Sequence, residues 1–201
     1  MLQPQNPIPI MKGMSLKSNY SSSPWSYAPT AILLHWVLAI LIVGMAALGW
    51  YMMSIEKQPD SGWYFDFHKS VGLIVATLVA LRLIWRISHS PAPLPKLVPN
   101  WQRKLSAMTQ ALLYVCMIIL PTTGILGASY SKDGLLFFGA ALPRWAQPNH
   151  DIAELFFSVH GIAVWVLVGL VSLHVLGGLK HLMIDRDGVF QRMLPKRRGH
   201  C

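Results

Sequence analysis

His160 and His174 stand fourteen residues apart in one long apolar segment. At ~100° per residue, fourteen steps come back to within about 40° of the starting face, so both imidazoles point to the same side of a helix. With ~1.5 Å rise per residue they lie roughly 21 Å apart along it, one towards each face of a ~30 Å hydrocarbon core. Imidazoles can bind a metal, carry protons or hydrogen-bond a backbone carbonyl, and ionisable groups at such depth are functional candidates by default. Two more histidines, His35 and His68, fall near the ends of two other apolar segments. Whether the four heights match decides which chemistry is available.

The elements that must position them read as membrane spans. The chain is 53% hydrophobic and only 12% charged, against about a quarter charged in a soluble domain. Its length suits one all-α domain, an integral membrane four-helix bundle with short loops. The spans are read at about 31–53, 67–85, 105–128 and 152–182, within a domain covering 30–190. Pro121 should kink the third, since a proline inside a helix removes one backbone hydrogen bond. Trp50, Tyr51, Trp63, Tyr64, Trp85 and Trp101 gather near span ends, where amphipathic rings suit the headgroup layer. Residues 1–29, rich in Pro and Ser, read as a flexible cytoplasmic arm without a signal-peptide pattern, and 191–201 as a basic cytoplasmic tail. Cys116 sits in an apolar run and Cys201 is the last residue, which gives neither a disulfide framework nor a metal cluster.

Basic residues set the orientation. The arm, the segment between spans two and three and the C-terminal end hold thirteen of the 17 Lys and Arg, while the other two connections carry six of the eight acids. Positive residues favour the cytoplasm, so both termini are expected inside (N-in/C-in). The net charge of +9 then needs no nucleic-acid partner; the basic tail faces anionic lipid.

With the N-terminus inside, His35 and His174 fall near the inner face and His68 and His160 near the outer face. Two level pairs of neutral imidazoles on facing helices are what two haem irons need as axial ligands. Structural zinc wants four close ligands, and a proton relay would be spread more evenly, with acids inside the spans. Small residues (Gly44, Gly49, Gly72, Gly124, Gly161, Gly169, Gly177 and Gly178) leave room for a flat macrocycle, although they also serve ordinary helix packing. Arg82, fourteen residues after His68, shares its face near the inner level. It suits a haem propionate, or it snorkels to the interface.

Taken together, "LLHW", "HKSVGLIVATLVALRLIWR", "LLYVCMIILPTTG" and "VHG…SLHVLGGLKHLMIDRDGVFQRML" make residues 27–194 resemble the bacterial cytochrome b561 family. The resemblance implies a di-haem b bundle with axial ligands at His35, His68, His160 and His174. Family members often carry a histidine just before the "LY" of span three; Gln110 stands about there. The resemblance also makes His181 a quinone-site candidate, its alternative being a solvated histidine beside Lys180. The function it implies is electron transfer from an outer donor, such as superoxide or a redox partner protein, through two haems to membrane ubiquinone, a superoxide:quinone oxidoreductase. The rival is a membrane-anchor cytochrome b subunit serving a partner dehydrogenase or hydrogenase. A small anion would be drawn to Lys69, Lys132 or Arg144, which otherwise simply solubilise loops.

Overall fold

The computed structural model describes residues 27–89 and 98–194. The expected arm, up to residue 26, and residues 195–201 of the tail lie outside the described residues. Four long helices carry the chain: α1 Pro29–Ser54, α2 Gly62–Ser88, α3 Asn100–Tyr130 and α4 His150–Lys180. α1, α2 and α3 run a few residues beyond the spans read from hydropathy at both ends, while α4 starts two residues early and gives way to a π-helical turn at His181, inside the expected 152–182. The apolar core of a span need only cross ~30 Å, while a helix continues into the headgroup layer as long as its backbone bonds close. All four are long and apolar enough to cross a membrane.

Their surfaces confirm a lipid-facing bundle. Ile40 is 71% exposed, Ile162 67% and Leu176 64%, and contiguous apolar surface of this kind has no place in water. Helices apolar all round are membrane spans, with backbone groups satisfied internally. α1 starts on Pro29 in its first turn, where a missing N–H costs nothing. α4 starts on Asn149, whose side chain accepts from the Ile152 N–H at 3.1 Å. α3 continues unbroken through Pro121.

An even number of crossings puts the start of α1 and the end of α4 at one end of the bundle, here the termini end; the α1–α2 and α3–α4 connections form the loop end. α3 packs most extensively on α4, α1 pairs with α2, and α2 with α3. α1 and α4 make much less backbone contact.

Two small features lock the ends. In the α3–α4 connection, β1 (Leu136–Phe137) and β2 (Ala140–Ala141) form an antiparallel hairpin. Its two turn residues, Phe138 and Gly139, have φ of 47° and 88°, as a tight two-residue hairpin turn requires. The wholly buried Ser70 of α2 fastens it, accepting from the Phe138 N–H at 2.9 Å while donating to the Asp66 carbonyl at 2.7 Å. At the termini end, α4 passes into a π-helical turn, His181–Asp185, and then a 3-10 turn, Phe190–Met193. The Trp36 indole donates to the Met193 carbonyl at 2.8 Å, and the Tyr27 N–H to the Arg192 carbonyl at 3.3 Å. Residues 191–194, at the start of the segment read as a tail, are thus tied to the beginning of α1.

Candidate functional site

α4 carries His160 and His174 on one face, and each meets a histidine from another helix. The His68 and His160 ring centres lie 6.3 Å apart towards the loop end, and those of His35 and His174 6.1 Å apart towards the termini end. These distances test whether a metal could sit between the rings. A metal–nitrogen bond of about 2.0 Å, plus about 1.1 Å from nitrogen to ring centre, places two opposed imidazole centres roughly 6 Å apart. Both pairs meet that requirement. Direct ring-to-ring hydrogen bonding does not account for the loop-end pair's remaining polar atom: His68 Nδ1 is buried with no hydrogen-bond partner among the described residues. Such an atom is costly unless an ion or water resolves it.

His160 is held from α3. Its Nδ1 lies 2.9 Å from the Leu120 carbonyl, with Thr123 Oγ1 at 3.3 Å. The carbonyl can only accept, so Nδ1 carries the proton and Nε2 keeps a lone pair for a metal. Thr123 donates back to its own helix, to the Ile119 carbonyl at 2.8 Å. The sequence reading named His160 but neither holder, because a backbone carbonyl has no sequence signature.

His35 is held differently. Arg82 reaches from α2 to the Ala31 carbonyl at 3.0 Å and to His35 Nδ1 at 3.2 Å. A guanidinium only donates, so here Nδ1 accepts and Nε2 carries the proton. The structure therefore brings Arg82 to the termini-end pair, but onto a histidine rather than towards an acid. Trp36 closes one side of His35 with its ring centre at 5.4 Å.

The glycines divide into three kinds. Gly44, Gly161, Gly169 and Gly177 face open space, and Gly72 and Gly178 make ordinary packing contacts with Met45 and Phe190. Gly49 and Gly124 border the histidines themselves: an added Cβ would lie 3.5 Å from His68 Cε1 and 3.3 Å from His160 Cε1. Gly127, which was not singled out in the sequence, is tighter still, with Phe157 at 2.6 Å from a Cβ. An alanine series should follow this order. Gly44→Ala should leave stability unchanged or slightly raised, and Gly124→Ala should cost about 1 kcal/mol by crowding His160. Gly127→Ala should cost more, up to about 3 kcal/mol. Thermal unfolding in detergent checks the order, and only Gly124→Ala should also perturb a group held by His160.

At the end of α4, His181 Nδ1 lies 2.7 Å from Asp187 Oδ2 and 3.4 Å from Asp185 Oδ2, and Lys180 bonds Asp185. His181 is mostly buried rather than a solvated neighbour of Lys180. The sequence reading passed over both acids. A signal was present: they are the two of eight acids that lie outside the acidic connections. Gln110, half-buried on α3, donates to Ser106 at 3.1 Å. On the loop end, Lys69 is tied to Asp66 at 3.1 Å, and Arg144 bonds the Lys132 carbonyl. Lys69 is therefore a weaker attractor for an anion than an unpaired lysine.

Comparison with known proteins agrees with this layout. Residues 26–196 match the family model of prokaryotic cytochrome b561. The chain is 30% identical to cytochrome b561 homolog 2 of Escherichia coli K12 over 184 residues, covering 89% of this chain and 96% of that one. It is 28% identical to cytochrome b561 homolog 1 of the same organism over 86% of this chain and 98% of the other. A Yersinia pestis protein named probable superoxide oxidase CybB is 24% identical over 86% of this chain and 98% of its own length.

Proposed function

The chain belongs to the prokaryotic cytochrome b561 family of haem b-binding membrane electron-transfer proteins, and on that premise we propose that it is a di-haem conduit. Electrons pass from a donor at the loop end to ubiquinone at the termini end. The observation that carries this reading is the pair of histidine rungs, both at the separation that a shared iron sets and stacked along α4. His68 with His160 would hold the outer haem, and His35 with His174 the inner. Bound haem iron supplies one-electron redox chemistry.

The chain's own residues do the rest. The Leu120 carbonyl keeps the His160 proton on Nδ1 and its ring in place. For His35 to offer an unprotonated Nε2, its Nδ1 must carry the proton, so Arg82 would give up that nitrogen. It would keep the Ala31 carbonyl and turn its free donors to a haem propionate. α1 and α4, little packed on each other, leave the interhelical space a macrocycle needs. His181 is the proposed hydrogen-bond partner of a quinone carbonyl. The positive-inside bias supports a termini end in the cytoplasm, within the bacterial inner membrane, with residues 1–29 as a cytoplasmic arm.

Superoxide is the proposed outer donor, supported by the name of the Yersinia relative. The test uses purified protein alone. It should show a six-coordinate low-spin b-type spectrum, two haems per chain, and ubiquinone reduction when superoxide is generated. One haem per chain would overturn the pairing scheme. Two haems without turnover, until a dehydrogenase or hydrogenase is added, would instead make the protein a membrane-anchor cytochrome subunit.

A further inference from the structure

The end of α4 is built around one side chain. The helix widens into the π-helical turn at His181–Asp185, and Arg186 and Gly188 follow with φ of 49° and 80°. A left-handed backbone is unfavourable for a residue other than glycine, and single π turns recur at functional sites. Here the distortion folds the chain back, lays Phe190 on Gly178 and brings Asp187 onto His181. Both oxygens of Asp187 are engaged: Oδ2 with His181 Nδ1 at 2.7 Å, Oδ1 with the Val189 N–H at 3.0 Å. The carboxylate is therefore fixed in place, not a solvated surface acid. The His181 and Asp187 side chains are 14% and 20% exposed.

Charge divides the cluster into two pairs. Lys180 bonds Asp185 Oδ2, the oxygen that lies 3.4 Å from His181 Nδ1, which leaves Asp187, at 2.7 Å, as the closer acid for His181. Arg186 turns its Nε to the Met183 carbonyl, and Arg192 stands in the adjoining 3-10 turn. The donor atoms of His181, Asp185 and Asp187 all lie within 4.8 Å of one another, as a cation site would require. The Lys180 ammonium already supplies the positive charge there.

We infer that Asp187 is a positioning residue for proton delivery: it holds Nδ1–H of His181 so that Nε2–H is presented to the oxygen of a quinone being reduced. This rests on the quinone reading above. Reduction of a quinone to its quinol takes two electrons and two protons. The electrons come from the outer donor. Each is matched by one proton from the His181 imidazolium: the Nε2–H bond breaks and an O–H bond forms on the quinone. The imidazole keeps Nδ1–H on Asp187 throughout and regains its Nε2 proton from water at the membrane surface. Without the carboxylate, ring orientation and tautomer are both released.

The experiment uses the full-length, haem-loaded protein with a soluble ubiquinone analogue. Asp187→Asn should lower kcat for quinol formation by about 10–100-fold, the loss typical of a removed orienting partner. KM for the quinone should hold, the solvent deuterium isotope effect should rise, and Asp187→Glu should recover most of the rate. Asp185→Asn should cost less. In 15N-histidine NMR, Asp187→Asn should shift the His181 Nδ1 signal even with no quinone present. An unchanged kcat in Asp187→Asn overturns the role, as does a loss that Asp187→Glu fails to recover. Abolition by a chelator with rescue by a divalent cation overturns it in favour of a metal site. Should the intact haem-loaded protein reduce no quinone, the quinone reading itself falls, a result distinct from any behaviour of the variants.

Discussion

His160→Ala is expected to halve the haem content of the purified protein, from two per chain to one, and to leave the inner haem six-coordinate. His160 supplies one side of the loop-end rung only, 6.3 Å from His68, while the termini-end rung, His35 with His174, shares no side chain with it. The two sites lie roughly 21 Å apart along α4, and changes that far apart with no shared partner act independently. His174→Ala should be the mirror image, with the outer haem kept. The measurement is the haem-to-protein ratio with the reduced spectrum of each variant. Added imidazole should partly restore the missing haem, because the defect is one absent ligand on an intact helix. Loss of both haems from either variant would mean that the rungs are not separate sites. Loss of neither would remove the histidines from haem binding altogether.

The second large effect concerns the acceptor side. His181→Ala should slow quinol formation by about 10²-fold or more, the lower range for a removed proton donor, with both haems still bound and still reducible by a chemical reductant. His181 is seven residues beyond His174, so roughly 10 Å further along the axis, and it touches Asp185 and Asp187 rather than either rung. Steady-state quinone reduction, with haem spectra recorded on the same samples, separates a proton-delivery defect from a loading defect. Equal rates in the two proteins would remove His181 from the acceptor site.

The spans and the levels of the histidines are legible in the sequence because both rest on one-dimensional quantities. Hydropathy marks the crossing helices, and ~1.5 Å per residue converts position into depth. Charge bias adds a direction, though the helices alone are symmetric to it. What holds each ring is not legible. Leu120 reaches His160 through a backbone carbonyl, which every residue possesses, and Arg82 meets His35 across 47 positions of sequence. Ser70 escapes notice for the same reason. Its hydroxyl accepts from Phe138, 68 residues away, in a hairpin whose strands are too short to show a period. Asp187 is the instructive case. It lies six residues from His181, where a regular helix would turn it about 120° away, and only the widened turn and the left-handed Arg186 bring the two together.

Both rungs also share a property that concerns how the protein is made. His160 and His174 belong to α4, the last of the four spans to leave the ribosome, and the clasp between Trp36 and Met193 joins residues 157 positions apart. A nascent chain with three helices inserted holds one histidine of each rung and no way to close either. Completion of both rungs and fastening of the chain ends therefore fall on the same late event. A product truncated before α4 would be unable to close either rung, because each needs one histidine from α4.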